Sequence, residues 1–362
     1  MFPRRAFAAL LAAGLLVPGG LGLAQPRSLP VTFAPVRPGR RLSFPTDHGA
    51  HPDFRTEWWY VTGWLQAAGQ PIGFQITFFR VRTAADPGNP STFSPRQVIF
   101  AHAAISDPAM GRLIHAQRIA RAGFGLAEAK VGDMDLVLDD WRLRRDAKGV
   151  LRTHAGDADF ALDLALTPTQ PVLLQGQQGF SRKGPGADQA SYYYSLPHLK
   201  VTGTLSREGR RQPVSGEAWL DQEWSSTLLD ARAVGWDWAG INLDDGGALT
   251  AFEVRDAKGK AVWAGGSFRS PEGQLTPFAP GDVRFDTRRQ WRSPRTGALY
   301  PITRDIRVRL PEGPRVWRLE PLFADQELDS RPIGPVYWEG AVRTPGGRGY
   351  LELTGYDAPL AI

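Results

Sequence analysis

The sequence predicts an all-β protein of two antiparallel domains in tandem, and three observations carry that expectation. Short runs rich in Val, Ile, Phe, Tyr and Trp recur between Gly, Pro and Asp turns from Glu57 onward, the pattern of a sandwich or barrel. The composition agrees, with 40 Gly and 30 Pro for turns and 12 Trp for aromatic strands. Two stretches also resemble one another: Trp59 to Leu65, Gly69 and Phe74-Gln75-Ile76 against Trp238 to Leu243, Gly247 and Phe252-Glu253-Val254. Each reads as a Trp-led strand, a Gly turn and a return strand, so a hairpin heads each half. At roughly 150 residues per domain, 362 residues fit two.

The elements follow in order. Arg4 and Arg5 precede the apolar run Ala6–Val17, and Gly22-Leu23-Ala24 supplies small residues for cleavage, so residues 1–24 read as a signal peptide. The apolar run is too short to span a bilayer permanently. The Arg pair fits part of a twin-arginine signal, although Pro3 stands where Ser or Thr usually precedes it, and the Sec route fits equally. No cysteine follows for a lipid anchor. The expectation is a periplasmic or secreted protein beginning at Gln25, with no stable membrane anchor.

Gln25–Arg41 is rich in Pro and Arg and reads as an extended lead-in. Strands are expected at Trp58–Leu65, Gly73–Val81, Val98–Ile105, Leu136–Leu143, Phe160–Leu166, Tyr192–Leu205 and Ala218–Trp224. More follow at Trp236–Leu243, Leu249–Arg255, Val262–Phe268, Ile306–Leu310, Val336–Val342 and Gly349–Tyr356. Ile119–Glu128 predicts a short helix. The polar stretch Arg207–Pro213 marks the boundary, giving domains at 25–212 and 213–362.

Composition excludes several function classes. With no cysteine there is no disulfide scaffold, thiolate chemistry, iron–sulfur cluster or Cys-ligated zinc. The net charge of +6 comes mostly from arginines in Gly/Pro/Ser-flanked loops, which do not form one stripe with interleaved aromatics, so nucleic acid is not expected. His48-x2-His51 lacks a third ligand at recognisable spacing, so neither a metal nor another cofactor is expected. No Gly-x-Ser-x-Gly elbow and no phosphate-binding glycine loop occur. Nothing fixes an oligomeric state.

The residues left to carry chemistry are acids among aromatics. Glu57 precedes Trp58-Trp59-Tyr60, and an acid in that company is costly to bury unless paired or protonated. Gln75 and His102 sit inside apolar strands, and Tyr192 and Tyr194 share one strand face near the end of the first half. Asp221 and Glu223 share a face of the strand that ends at Trp224, and Trp236 and Trp238 share a face of the next. Two carboxyls on one side of an apolar pocket repel, which holds one protonated near neutral pH. The same residues also fit a filled core of Trp with acids bonded to turns.

The runs Asp47-His48-Gly49-Ala50-His51-Pro52, Glu57-Trp58-Trp59-Tyr60-Val61-Thr62-Gly63, Gly73-Phe74-Gln75-Ile76-Thr77-Phe78-Phe79-Arg80 and Ala101-His102-Ala103 resemble the first-domain signature of the AttH/carotenoid 1,2-hydratase-like family. Gly216–Trp224 and Gly235-Trp236-Asp237-Trp238 are similar to its second-domain pattern. The resemblance implies two tandem lipocalin-like β-barrels with a ligand cavity in or between them. It implies members that add water to isoprenoid double bonds, fungal cyclisation catalysts, and exported bacterial proteins described only as secreted hydrolases.

Two function classes follow. One is an enzyme on an apolar, isoprenoid- or polyketide-like molecule, with Asp221, Glu223 and Glu57 as candidate acids for addition of water to a double bond. Trp58, Trp59, Tyr60, Gln75, His102, Tyr192, Tyr194, Trp224, Trp236 and Trp238 are the candidate ligand wall, with Tyr192 and Tyr194 closing it at the domain junction. The other is a non-catalytic carrier of the same kind of ligand.

Overall fold

A computed structural model describes residues 31–85 and 89–360; the expected signal peptide lies outside the described residues. The first sheet begins with β1 (Thr56–Ala67), β2 (Gln70–Arg82), β3 (Gln97–Ser106), β4 (Ile114–Arg121), β5 (Ala127–Ala129), β6 (Asp135–Leu138) and β7 (Trp141–Arg145). It continues with β8 (Leu151–Gly156), β9 (Phe160–Thr167), β10 (Leu173–Leu174), β11 (Phe180–Arg182), β12 (Ala190–Arg207) and β13 (Arg210–Ser225). The spatial order is β4-β3-β2-β1-β13-β12-β9-β8-β7-β6-β5, with β10 and β11 pairing β12. A turn bridged between Gly123 and Ala127 brings the two edges together, and the sheet curls into a nearly closed barrel.

The second sheet holds β14 (Ala233–Leu243), β15 (Ala248–Asp256), β16 (Ala261–Arg269), β17 (Leu275–Pro277) and β18 (Val283–Arg292). It is completed by β19 (Leu299–Leu310), β20 (Gly313–Pro321), β21 (Glu327–Asp329), β22 (Val336–Thr344) and β23 (Gly347–Leu353). Its order is β17-β16-β15-β14-β23-β22-β20-β19-β18, and β18 packs back on β15 and β16. The fold is therefore all-β, in two tandem lipocalin-like units.

Three sequence readings change. Ile119–Glu128 is not helical: its first residues finish β4, paired with β3, and the rest is turn and β5. The tertiary pairing of an edge strand overrides a weak helical pattern. The division expected between 212 and 213 falls within β13, beside the hairpin that joins β12 to β13. Because β13 pairs β1 from Val214 to Ser225, the first sheet runs on to Ser225 and the second begins at Ala233. The two similar hairpins are β1–β2 and β14–β15, as expected, but their residues are not equivalent as aligned. Trp59 packs inside the first barrel, whereas Trp238 points outward to the junction. A slip of one residue moves every side chain to the other face of a strand.

Both faces of β1 are buried, so it lacks the alternation of a strand with one solvated face. Trp59, Val61 and Leu65 join Phe74, Ile76, Phe78 and Trp224 in the first core. The second core is built on Ile241, Leu249, Ile306, Trp338 and Leu351. A third cluster joins the barrels, with Tyr60, Trp64 and Trp219 from one meeting Trp238, Phe252, Val254 and Tyr350 from the other. At its tight end Gly73 is required, because a Cβ there would lie 2.6 Å from both the Ala341 Cβ and the Tyr350 hydroxyl.

Candidate functional site

The β1–β13 register brings the two aromatic–acid motifs side by side. Glu57 faces Trp224, Trp58 faces Glu223, Trp59 faces Gln222 and Tyr60 faces Asp221. Strand alternation then sorts them into two sets. Trp58, Tyr60, Asp221 and Glu223 point to the second barrel, while Glu57, Trp59, Gln222 and Trp224 point into the first.

The outward set lines a cavity of about 720 Å³ between the barrels. Its floor is two cross-strand rows on the first sheet: Glu223, Trp58, Phe79 and Phe100, then Asp221, Tyr60, Thr77 and His102. Its roof is a row on the second sheet, Phe252, Trp238, Glu352 and Glu339, with Trp236, Val254 and Tyr337 beside it. The mouth lies among Leu228, Leu229, the loop Arg331–Val336 and Asp357–Leu360. That volume suits a small organic molecule, and large aromatics with a few polar groups suit an apolar one.

Four carboxyls face this apolar space. Burial raises Asp221 to about 7, against the hydrogen bonds donated by the hydroxyls of Ser195 at 2.5 Å and Tyr193 at 2.7 Å and by the Trp219 indole at 2.7 Å. Burial likewise raises Glu352 to about 8, with the Trp236 indole donating to it at 3.1 Å. Glu339 stands directly opposite Glu352 on the adjacent strand and is pushed well above the carboxylate range, first by burial and then by Glu352. The Tyr60 hydroxyl donates to Glu339 Oε1, and Oε2 has no partner. Lys183 Nζ stands 2.9 Å from Glu223 Oε1. Asp221, Glu339 and Glu352 thus hold their protons more tightly than ordinary carboxyls do.

His102 is the other titratable group on the floor. Its Nδ1 meets the Tyr337 hydroxyl at 2.8 Å, its Nε2 has no partner, and burial lowers its pKa to about 3. It is a neutral imidazole. Among the described residues no group of three or more His, Asp and Glu side chains gathers as a metal site.

The inward set forms a separate network at the first barrel's core. Glu57, fully buried, accepts from His51 Nδ1 at 2.6 Å, the His51 amide at 2.8 Å, Arg80 Nε at 2.9 Å and Gln222 Nε2 at 3.1 Å. His51 Nε2 meets Asp47 at 2.9 Å, and the ring stacks on Trp224 at 3.7 Å. Burial would pull His51 down and push Glu57 up, but their attraction outweighs it: His51 is raised and Glu57 lowered. This ion pair ties the loop that carries Asp47 and His51, just before β1, to the barrel.

Of the candidate acids, Asp221 and Glu223 reach the cavity and Glu57 does not. Of the candidate wall, Trp58, Tyr60, His102, Trp236 and Trp238 line it. Trp59 and Trp224 fill the first core. Tyr192 and Tyr194 do not close the junction, because their faces point into that barrel. Tyr192 bonds the Arg37 backbone, and Tyr194 bonds His48 and Gln222. Tyr193, between them, faces outward and accepts from the Trp238 indole at 3.0 Å. Gln75 lies just behind the floor, bonded to Thr77. Sequence reasoning missed Glu339, Glu352, Tyr337 and Lys183. The available signal was the one used for Glu57: a single acid within an otherwise apolar strand run, as in Val336–Val342 and Gly349–Leu353.

The AttH-like family model matches residues 35–356. The crystal structure of a candidate AttH from Nitrosomonas europaea is 54% identical, covering 90% of this chain and 99% of that one at a TM-score of 0.83. Kievitone hydratase from Nectria haematococca shares the fold at 12% identity, covering 91% and 98% of the two chains at a TM-score of 0.65. CghA does so at 12% identity, 92% and 98% coverage and a TM-score of 0.50. A comparison with curated proteins returns no match. With its signature runs, its tandem barrels and the family match over most of its length, the chain belongs to the AttH-like family.

Proposed function

We propose that the protein encloses an apolar small molecule between its barrels and donates a proton to it, the first step of adding water to a double bond. One observation carries this reading: carboxyls with pKa values of about 7 and about 8 face an aromatic cavity of about 720 Å³. A carboxyl that stays protonated at neutral pH is the acid that such a step needs, and indole faces shelter positive charge developing on the ligand. The fold shared with kievitone hydratase supports the reading without fixing the substrate. Export is part of the proposal, on the strength of Arg4-Arg5 and the apolar run after them.

The test is to extract and identify the molecule carried through native purification, then return it to the protein in ¹⁸O-labelled water. Label in the product supports hydration. A molecule bound and returned unchanged makes the protein a carrier. A preparation that carries no ligand and takes up no apolar dye ends the reading.

A further inference from the structure

We infer that an exposed aromatic–arginine patch on the first barrel docks the protein on the surface of an anionic phospholipid bilayer, with one end of the cavity turned toward the lipid. Docking goes beyond the function proposed above and does not depend on it. The passage of an apolar ligand between bilayer and cavity rests on that reading.

Three large apolar side chains stand in water at one place. Phe93, shortly before β3, is 66% exposed, and Phe124 and Leu126, in the turn after β4, are 56% and 53% exposed. The Phe93 and Phe124 rings stack at 5.3 Å, and the Arg121 guanidinium lies over both, 4.7 Å from the first and 4.5 Å from the second. Arg121 also donates to the Phe93 carbonyl at 2.8 Å, which holds the group together. Large apolar side chains gathered on a surface mark a contact, and rings that carry a cation suit the boundary between lipid headgroups and acyl chains.

Register ties the patch to the cavity. The floor row Glu223, Trp58, Phe79 and Phe100 continues onto β4 at Ile119, which is 49% exposed. The row two residues along is Thr56, Val81, Val98 and Arg121, and it shares that face because alternate residues of a strand point the same way. Thr56 and Val81 line the cavity, and so does the exposed Arg55 beside them. Arg121, which carries the two rings, therefore ends a row that begins in the cavity wall.

Charge and size commit the patch to lipid. The nearby acids have bases of their own: Asp53 has Arg82 at 3.9 Å, Asp139 and Asp140 have Arg118 at 4.0 Å, and Glu128 has Lys130. Among the described residues no carboxylate stands within ion-pair distance of Arg55 or Arg121. Their guanidinium groups are left for the phosphates of an anionic surface. The four apolar side chains, Ile119 included, fall well short of the about 20–30 residues per side of a stable protein interface. They are enough for reversible seating on a bilayer that also attracts their arginines.

Vesicle binding decides it. The mature chain from Gln25, free of the apolar run after Arg5, should co-sediment with vesicles of phosphatidylglycerol and phosphatidylethanolamine, and only weakly with phosphatidylcholine alone. Phe93→Ser combined with Phe124→Ser should lower that affinity about tenfold, and Arg121→Gln about fivefold, the second loss vanishing in high salt. Urea unfolding and the affinity of the cavity for an apolar dye should match the wild type, since none of the three residues lines the cavity. If one variant fails to fold, the other still answers. Dye loaded into the anionic vesicles should reach the wild-type cavity faster than that of the double variant, and equal rates overturn the passage of ligand. A wild type that ignores the anionic vesicles, or binds them no more tightly than the variants do, overturns the docking, and a dye still bound leaves the binding reading intact. A wild-type dimer made monomeric by the double variant also overturns it, since a second copy then covers the patch. Vesicle binding without dye binding keeps the docking and overturns the reading of the cavity.

Discussion

Trp58 and Glu223 are direct cross-strand neighbours on β1 and β13, although 165 residues separate them in the chain. The pairing joins the first aromatic–acid motif to the second on one sheet and turns half of each toward the junction. It makes the cavity floor a property of one barrel and leaves its roof to the other. The predictions below use the division between the two strand faces.

The cavity face should tolerate truncation better than the core face. Trp236 is half-buried and lines the cavity, so Trp236→Ala should weaken binding of an apolar dye by tenfold or more while costing about 1 kcal/mol of stability. Trp59 is fully buried in the first core, so Trp59→Ala should cost about 3–5 kcal/mol and leave dye affinity unchanged. Urea unfolding and dye titration on both variants separate the two roles.

Glu57→Gln should destabilise by about 3 kcal/mol, since it leaves Arg80 without its buried counter-charge and His51 with Asp47 alone. Dye affinity should not change. A loss of affinity with unaltered stability would return Glu57 to the functional site.

Stability should fall as pH rises from about 4.5 to about 8. Glu352 has a raised folded pKa, so over that range the folded protein holds a proton that the unfolded chain has released. The contribution is full below the unfolded value and lost as pH climbs through the folded one. Glu352→Gln should make this slope shallower, the rest coming from Asp221 and Glu339, and stabilise the protein at pH 8–9 by an amount on the order of a few kcal/mol, read from chemical denaturation at each pH. A wild-type profile that matches the variant's would show that Glu352 is not held protonated.

Acid should act through a different pair. Glu57 has a lowered folded pKa, so its contribution is present above the unfolded value and lost as pH falls through the folded one. His51 is raised, so its share is full below its unfolded value and lost as pH rises through the folded one. A His51→Phe variant should therefore lose the stability gained from this pair near neutrality and show a shallower acid limb.

Export should yield a mature chain beginning at Gln25, read by amino-terminal sequencing of protein recovered outside the cytoplasm. A chain that begins at Met1 there rejects cleavage after Ala24.

Residue spacing alone carried the all-β class, the two hairpin-led units and the positions of most long strands, because strand periodicity and turn residues are local properties. It also brought out Asp221, Trp58, Trp236 and Trp238, since acids and indoles concentrated in apolar runs are visible without a partner strand. Which of two adjacent residues faces the cavity was decided elsewhere. Trp58 and Trp59 are alike in sequence, as are Tyr192, Tyr193 and Tyr194, and where both strand faces are buried no polar alternation reveals which is outermost. The membership of β13 in the first barrel follows from its pairing with β1, a contact that no local signal encodes. Glu339 and Glu352 acquire their chemistry the same way. Each is an ordinary glutamate in a strand until the strands pair and the second barrel closes over the first, placing two carboxyls face to face away from water. Proton affinity depends on surrounding charge and solvent, and only the tertiary structure sets those.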